Sequence, residues 1–191
     1  PDLIAEMVDI EGNDHEIKER FVKMLEFGTA GLRGILGVGT NRMNIYTVAL
    51  ATQGMADYVK EKFENPSVAI AYDSRIKSDL FANVTARVFA ANGVKAYLFK
   101  ELMPTPTLSF AVRQLHCSAG IVITASHNPS KYNGYKAYGE DGCQLNPQAA
   151  AKVLELASKT DIFDGVKKIS LEEGLRTGMI EYISDELVDQ Y

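Results

Sequence analysis

The sequence predicts an α/β protein: a three-layer α/β/α arrangement around a mixed, largely parallel sheet of about four strands, preceded by an N-terminal helical extension. Three observations carry this expectation. Short apolar runs, SVAIAY (67–72), VKAYLF (94–99) and AGIVIT (119–124), have the length and composition of buried strands. Segments with helical spacing of apolar residues separate them, as in layered folds with helices on both faces of a sheet. The 191 residues, 46% of them apolar, suffice for one domain with a substantial core.

Taken in order, residues 2–27 read as helical. Leu3, Ile4, Met7 and Val8 form one apolar stripe and Ile17, Phe21, Met24 and Leu25 another, with EGND as the turn between. The glycine-rich stretch FGTAGLRGILGVGTNRMN follows, and then a helix over 45–63 that Asn65-Pro66 ends. The strand 67–72 closes on Asp73-Ser74-Arg75. Ser78 is placed to cap a helix running to Asn92, with Gly93 as its left-handed stop. After the strand 94–99, MPTPT reads as a rigid loop and 108–115 as a short helix. The strand 119–124 runs into SHNP; YKAY (135–138) reads as a short strand and 148–158 as a helix. The tail, from MIEYI onward, reads as a strand and then a helix.

Composition narrows the function. Twenty basic and 25 acidic residues leave a charge of −5, which opposes nucleic-acid binding. Cys117 and Cys143 are too few for a disulfide framework and read as reduced structural residues. No apolar run approaches the roughly 20 residues of a membrane span. The opening PDLIAEMVDI carries acids where a signal peptide needs bases, so a cytoplasmic location is expected. Starting at proline, the chain reads as a piece of a longer one.

Ligands of such sheets gather at the carboxyl ends of strands. Asp73-Ser74-Arg75 and Thr124-Ala125-Ser126-His127 both fall there. The glycine run is neither a dinucleotide fingerprint nor a P-loop: Arg42 stands where a third glycine is needed, and Thr40 where a lysine is. It reads either as a sharp hairpin or as a backbone loop that lets Arg33 approach an anion through its planar fork. TASHN lacks the glycines of a nucleophile elbow. On an extended chain His127 cannot easily reach Ser126 as a base. Yet Arg33, Arg75, His127, Lys131 and Lys136 can all reach one cleft. An acidic protein that collects cations in one place has an anion to bind, phosphate being the obvious one. Lys136, starting a strand, points toward function, whereas Lys131 reads as a solvated loop residue. His15 and His116 read as surface residues, and Tyr132, Tyr135 and Tyr138 as packing.

TASHNP with YNGYK downstream, and FGTAGLRG, AYDSR and PTP upstream, resembles the α-D-phosphohexomutases, the phosphoglucomutases and phosphomannomutases. GTAGLRG…GTNRMN and PTPTLSFAVRQL are most similar to the phosphoglucomutase/phosphopentomutase branch. The resemblance runs from about Phe27 to Pro147. It implies a catalytic-serine domain at 27–180 after the extension at 1–26, with 181–191 starting a linker to a second domain. Four domains are implied for the intact enzyme; the first 25 residues are expected to dock on parts outside this chain. Ser126 would be the phosphoserine, with its phosphate one ligand of Mg²⁺ and the remaining ligands in the second domain. His127 and Lys136 would be acid–base or phosphate-contacting groups. Arg33, Asn128, Asn133 and Arg75 would bind or support phosphate. The implied partners are hexose or pentose monophosphates, a sugar bisphosphate and the remaining mutase domains, with no nucleic acid and no membrane. Two other functions fit the residues: a serine-dependent sugar phosphatase or hydrolase using Ser126, His127 and Asp73, and a phosphate- or sugar-binding module without chemistry.

Overall fold

The computed structural model describes residues 2–28 and 31–191; Pro1 and the Thr29-Ala30 pair of the GTAGLRG stretch lie outside the described residues. Two short helices open the chain, α1 (Asp2–Asp9) and α2 (Asp14–Phe21), with the Asn13 side chain capping the second. Seven strands form one sheet in the order β1-β2-β6-β5-β3-β4-β7. They are β1 (Phe27–Gly28), β2 (Gly31–Ile35), β3 (Ser67–Tyr72), β4 (Lys95–Leu98), β5 (Ala119–Ile123), β6 (Tyr132–Gly139) and β7 (Ile180–Tyr182). The expected parallel half is present, since β5, β3, β4 and β7 run parallel. An antiparallel flank, β1-β2-β6, is added to it, paired through β6 to β5. Seven strands thus replace the expected four.

Helices cover both faces. Along β3 the sides alternate: Val68 and Ile70 enter one apolar cluster, Ala69 and Ala71 the other. The first cluster is closed by α3 (Ile45–Lys62), α4 (Ser78–Ala91), α6 (Pro147–Ser158) and α7 (Leu171–Thr177). The second holds Leu108, Ala111 and Val112 of α5 (Thr105–Gln114) and Leu187 of α8 (Asp185–Asp189). The segment 181–191 is therefore packed here, with Ile183 and Leu187 buried.

Local chemistry explains the boundaries. Asn44 and Thr47 form a reciprocal capping box at the start of α3. Pro106 sits in the first turn of α5, where a missing N–H costs nothing, so the expected MPTPT loop stops at Pro104. Ser78 is not the cap of α4. That position belongs to Lys77, left-handed at φ 64°, while the buried Ser78 hydroxyl turns to Asp73. The glycine run forms a hairpin and a strand together. Gly31, at φ 145°, leaves no room for a β-carbon against the Tyr135 carbonyl, which is what lets β2 pair closely with β6.

The N-terminal helices dock on this domain itself. Glu6 bonds Arg20 of α2 and accepts from the Val38 N–H at 2.8 Å. The Arg20 carbonyl accepts from Asn41 N–H, that of Glu19 from the Asn41 amide, and Arg42 pairs with Glu19. At Gly39, φ 123°, the backbone of Arg20 fills the space a side chain would need.

Candidate active site

β3 and β5 are parallel neighbours, so the segments after Tyr72 and Ile123 emerge side by side at the same sheet edge. From there the loop 124–131 turns back into β6. Ser126 lies at its exposed tip with φ 56°, one of three left-handed non-glycine residues among those described. Such a conformation is disfavoured for serine and persists where surrounding contacts impose it. It also corrects the expectation that His127 is out of reach. Because the chain is kinked, Ser126 Oγ lies 3.3 Å from His127 Nδ1.

The contacts that impose the kink are explicit. Buried Thr124 accepts the Ser126 N–H on its hydroxyl at 3.0 Å and donates to Asp73 Oδ2 at 2.5 Å. Asp73 Oδ1 accepts from Arg75 N–H at 3.0 Å and Ser78 Oγ at 2.9 Å. The Arg75 fork donates to four loop carbonyls: Ser126 and Asn128 at 2.6 Å each, Tyr132 at 3.0 Å and Pro129 at 3.2 Å. Its side chain, 13% exposed, is engaged by the loop and by Asp73, whose Oδ2 lies 3.7 Å from Arg75 Nε. Asn133 is buried beneath; its amide donates to Ile76 O and Ser78 Oγ, both at 3.0 Å. Arg75 and Asn133 thus hold backbone in this structure.

Arg33 and Lys136 are placed by strand register. Arg33 pairs with Gly134 and Lys136 with Gly31 across β2 and β6, so both cations leave the same sheet face as diagonal neighbours. Lys136 also pairs with Val122, whose side belongs to the α5 cluster. Arg33 Nη1 donates to Asn128 Oδ1 at 3.3 Å, tying the strand to the serine loop. Arg33 and Lys136 line a cleft of about 640 Å³ whose wall includes Thr124 and Ala125, the two residues before Ser126. Ser126 and His127 are not part of that wall. Neither Arg33 nor Lys136 forms an ion pair with a described residue. Lys131 is exposed over the Tyr132 ring, 5.9 Å from its centre. His15 and His116 are exposed, and Tyr135 and Tyr138 are buried packing residues.

The phosphoglucomutase/phosphomannomutase, alpha/beta/alpha domain I, family model matches residues 24–162. The chain belongs to this family. Among curated relatives, a Staphylococcus haemolyticus phosphoglucomutase is 44% identical over 80% of this chain and 28% of its own length. One from Staphylococcus saprophyticus is 39% identical over 93% of this chain and 32% of its own. The chain thus spans about a third or less of these curated relatives. A putative phosphomannomutase from Thermus thermophilus superimposes with a TM-score of 0.68 at 29% identity, over 80% of this chain and 34% of the other. A phosphoglucomutase/phosphomannomutase family protein of Burkholderia thailandensis shares the fold, with a TM-score of 0.67 at 20% identity, over 86% of this chain and 34% of the other. The sequence assigns roles to Ser126, His127 and Lys136 but places Thr124 at the same strand end without one. Its hydroxyl lies two residues before Ser126, the spacing of a local side-chain cap.

Proposed function

We propose that this chain is the serine-bearing unit of a phosphosugar mutase, a domain of a longer enzyme, in which Ser126 carries the phosphate that moves between sugar hydroxyls. The observation that carries the reading is the left-handed, exposed Ser126 with His127 Nδ1 3.3 Å from its oxygen. Family membership supports this reading, in which a hexose or pentose monophosphate is isomerised by way of a bisphosphate.

In the forward half, a P–O bond forms to the sugar hydroxyl as the bond from phosphorus to Ser126 Oγ breaks. The hydroxyl's proton passes to a base, and the serine oxygen regains one. His127 is placed to exchange that second proton; Lys136 and Arg33, side by side on the cleft face, offset charge on the transferring group. The bisphosphate then turns over and returns its other phosphate to serine. Arg75 and Asn133 contribute by holding the loop, and Asn128 by joining it to Arg33.

Magnesium belongs to this reading as a counter-charge to phosphate oxygens. The described residues do not by themselves make its site: among them no group of three His, Cys, Asp or Glu could hold a metal ion. Asp73, the nearest carboxylate of the network, already accepts from Arg75, Ser78 and Thr124. A phosphorylated Ser126 would supply one ligand, and the transfer above is carried by the chain's own residues.

The hydrolase alternative needs Asp73 to orient His127, and both Asp73 oxygens are committed elsewhere. Intact-mass measurement tests the proposal. Incubation with glucose 1,6-bisphosphate is expected to add one phosphate to the chain and none to Ser126→Ala. Free inorganic phosphate accumulating without a stable adduct would favour the hydrolase.

A further inference from the structure

We infer that the N-terminal helical extension supplies a third cation to the cleft, Lys23, which binds a phosphate of the sugar ligand. The inference rests on the phosphosugar reading of the cleft and names a binding residue within it. Its first support is placement. Lys23 lines the same cleft as Arg33 and Lys136, together with Leu25 and Glu26 of the segment joining α2 to β1.

The second support is anchorage. Lys23 closely follows α2, yet its backbone is pinned to the hairpin loop: Thr40 Oγ1 donates to the Lys23 carbonyl at 2.7 Å, and the Leu25 N–H donates to Thr40 O at 2.8 Å. Behind these lie the Glu6–Val38, Glu19–Asn41 and Glu19–Arg42 contacts. A backbone held at that many points fixes where the flexible side chain starts, at the rim of the cleft.

Charge is the third support. Lys23 forms no ion pair with any described residue, although Arg20 of α2 and Arg42 of the hairpin are both paired. Three unpaired cations, Lys23, Arg33 and Lys136, therefore face one acidic side chain of the cleft wall, Glu26. That excess suits a dianionic ester, and a flexible lysine suits a phosphate that changes position as the sugar turns.

The test is equilibrium binding of glucose 1,6-bisphosphate to the 191-residue chain carrying Ser126→Ala, which blocks phosphoryl transfer. Adding Lys23→Met is expected to weaken binding about tenfold and to flatten its dependence on salt, while Lys23→Arg restores most of the affinity. Lys23 is exposed, so its substitution leaves the melting temperature unchanged. If Lys136→Met weakens binding and Lys23→Met does not, the inference is overturned and the phosphosugar reading stands. If the bisphosphate binds no variant, or binds all equally, both fail.

Discussion

At the scale of single residues, the serine loop is held by one guanidinium. Four carbonyls from Ser126 to Tyr132 converge on Arg75, 51 to 57 residues earlier in the chain. A lysine at that position carries the same charge but has no planar fork and cannot span four acceptors. Charged hydrogen bonds contribute roughly 1.5–3 kcal/mol each, and part of the set survives in lysine, so Arg75→Lys is expected to cost about 2 kcal/mol. In a domain of this size that lowers the melting temperature by about 4–8 °C in calorimetry. Phosphate uptake at Ser126 should fall further than the loss of folded protein explains. That part of Arg75 was not legible beforehand. An arginine at a strand end suits an anion and a carbonyl cluster equally well, and only the return of a distant loop decides between them. The exposed strand-end position of Ser126 was legible, because a buried strand stopping at TASHNP is a local pattern.

At the scale of elements, α3 and α6 meet at a glycine. A β-carbon on Gly54 would stand 2.6 Å from the Val153 carbonyl and 2.8 Å from Ala157 Cβ. Helix propensity alone makes Gly→Ala favourable by roughly 1 kcal/mol. Overpacking against backbone costs roughly 1–3 kcal/mol, and a carbonyl cannot swing aside as a side chain can. The second effect wins, so Gly54→Ala should be destabilised by about 1–2 kcal/mol in urea unfolding. Elements with a strong periodic signal, such as α3 and α6, were readable within a residue or two. Two were not. β2 reads GLRGI, where glycines replace the β-branched residues that mark strands; its evidence is the partner β6, about a hundred residues away. α7 is short, but its start carried a signal: Ser170 accepts from the Glu173 N–H, the spacing of a helix cap.

At the scale of the whole molecule, the two cysteines report on the packing of the second layer. Cys117 is buried beside α5, and burial pushes its thiol up to about 11. Cys143 is exposed. A folded thiol with so raised a pKa carries almost no thiolate at neutral pH. Iodoacetamide at pH 8 is expected to modify one cysteine in the native protein, Cys143, and both in urea. Rapid native labelling of Cys117 would mean that the α5 layer opens. The same layered build explains what the sequence disclosed of the whole. The centre of the parallel half was visible because β3 and β5 are buried on both faces and read as continuous apolar runs. Of the antiparallel flank, interrupted by glycines in all three strands, only the YKAY part of β6 was visible; β1 and β2 were not.

The left-handed backbone at Ser126 has a stereochemical corollary. Threonine offers the same alcohol and nearly the same nucleophilicity, but its extra methyl on the β-carbon collides with the chain at positive φ. Under the proposed reading, the choice between the two alcohols at this tip is therefore made by backbone shape before any question of reactivity arises. Of the two aliphatic alcohols in the genetic code, the fold admits one.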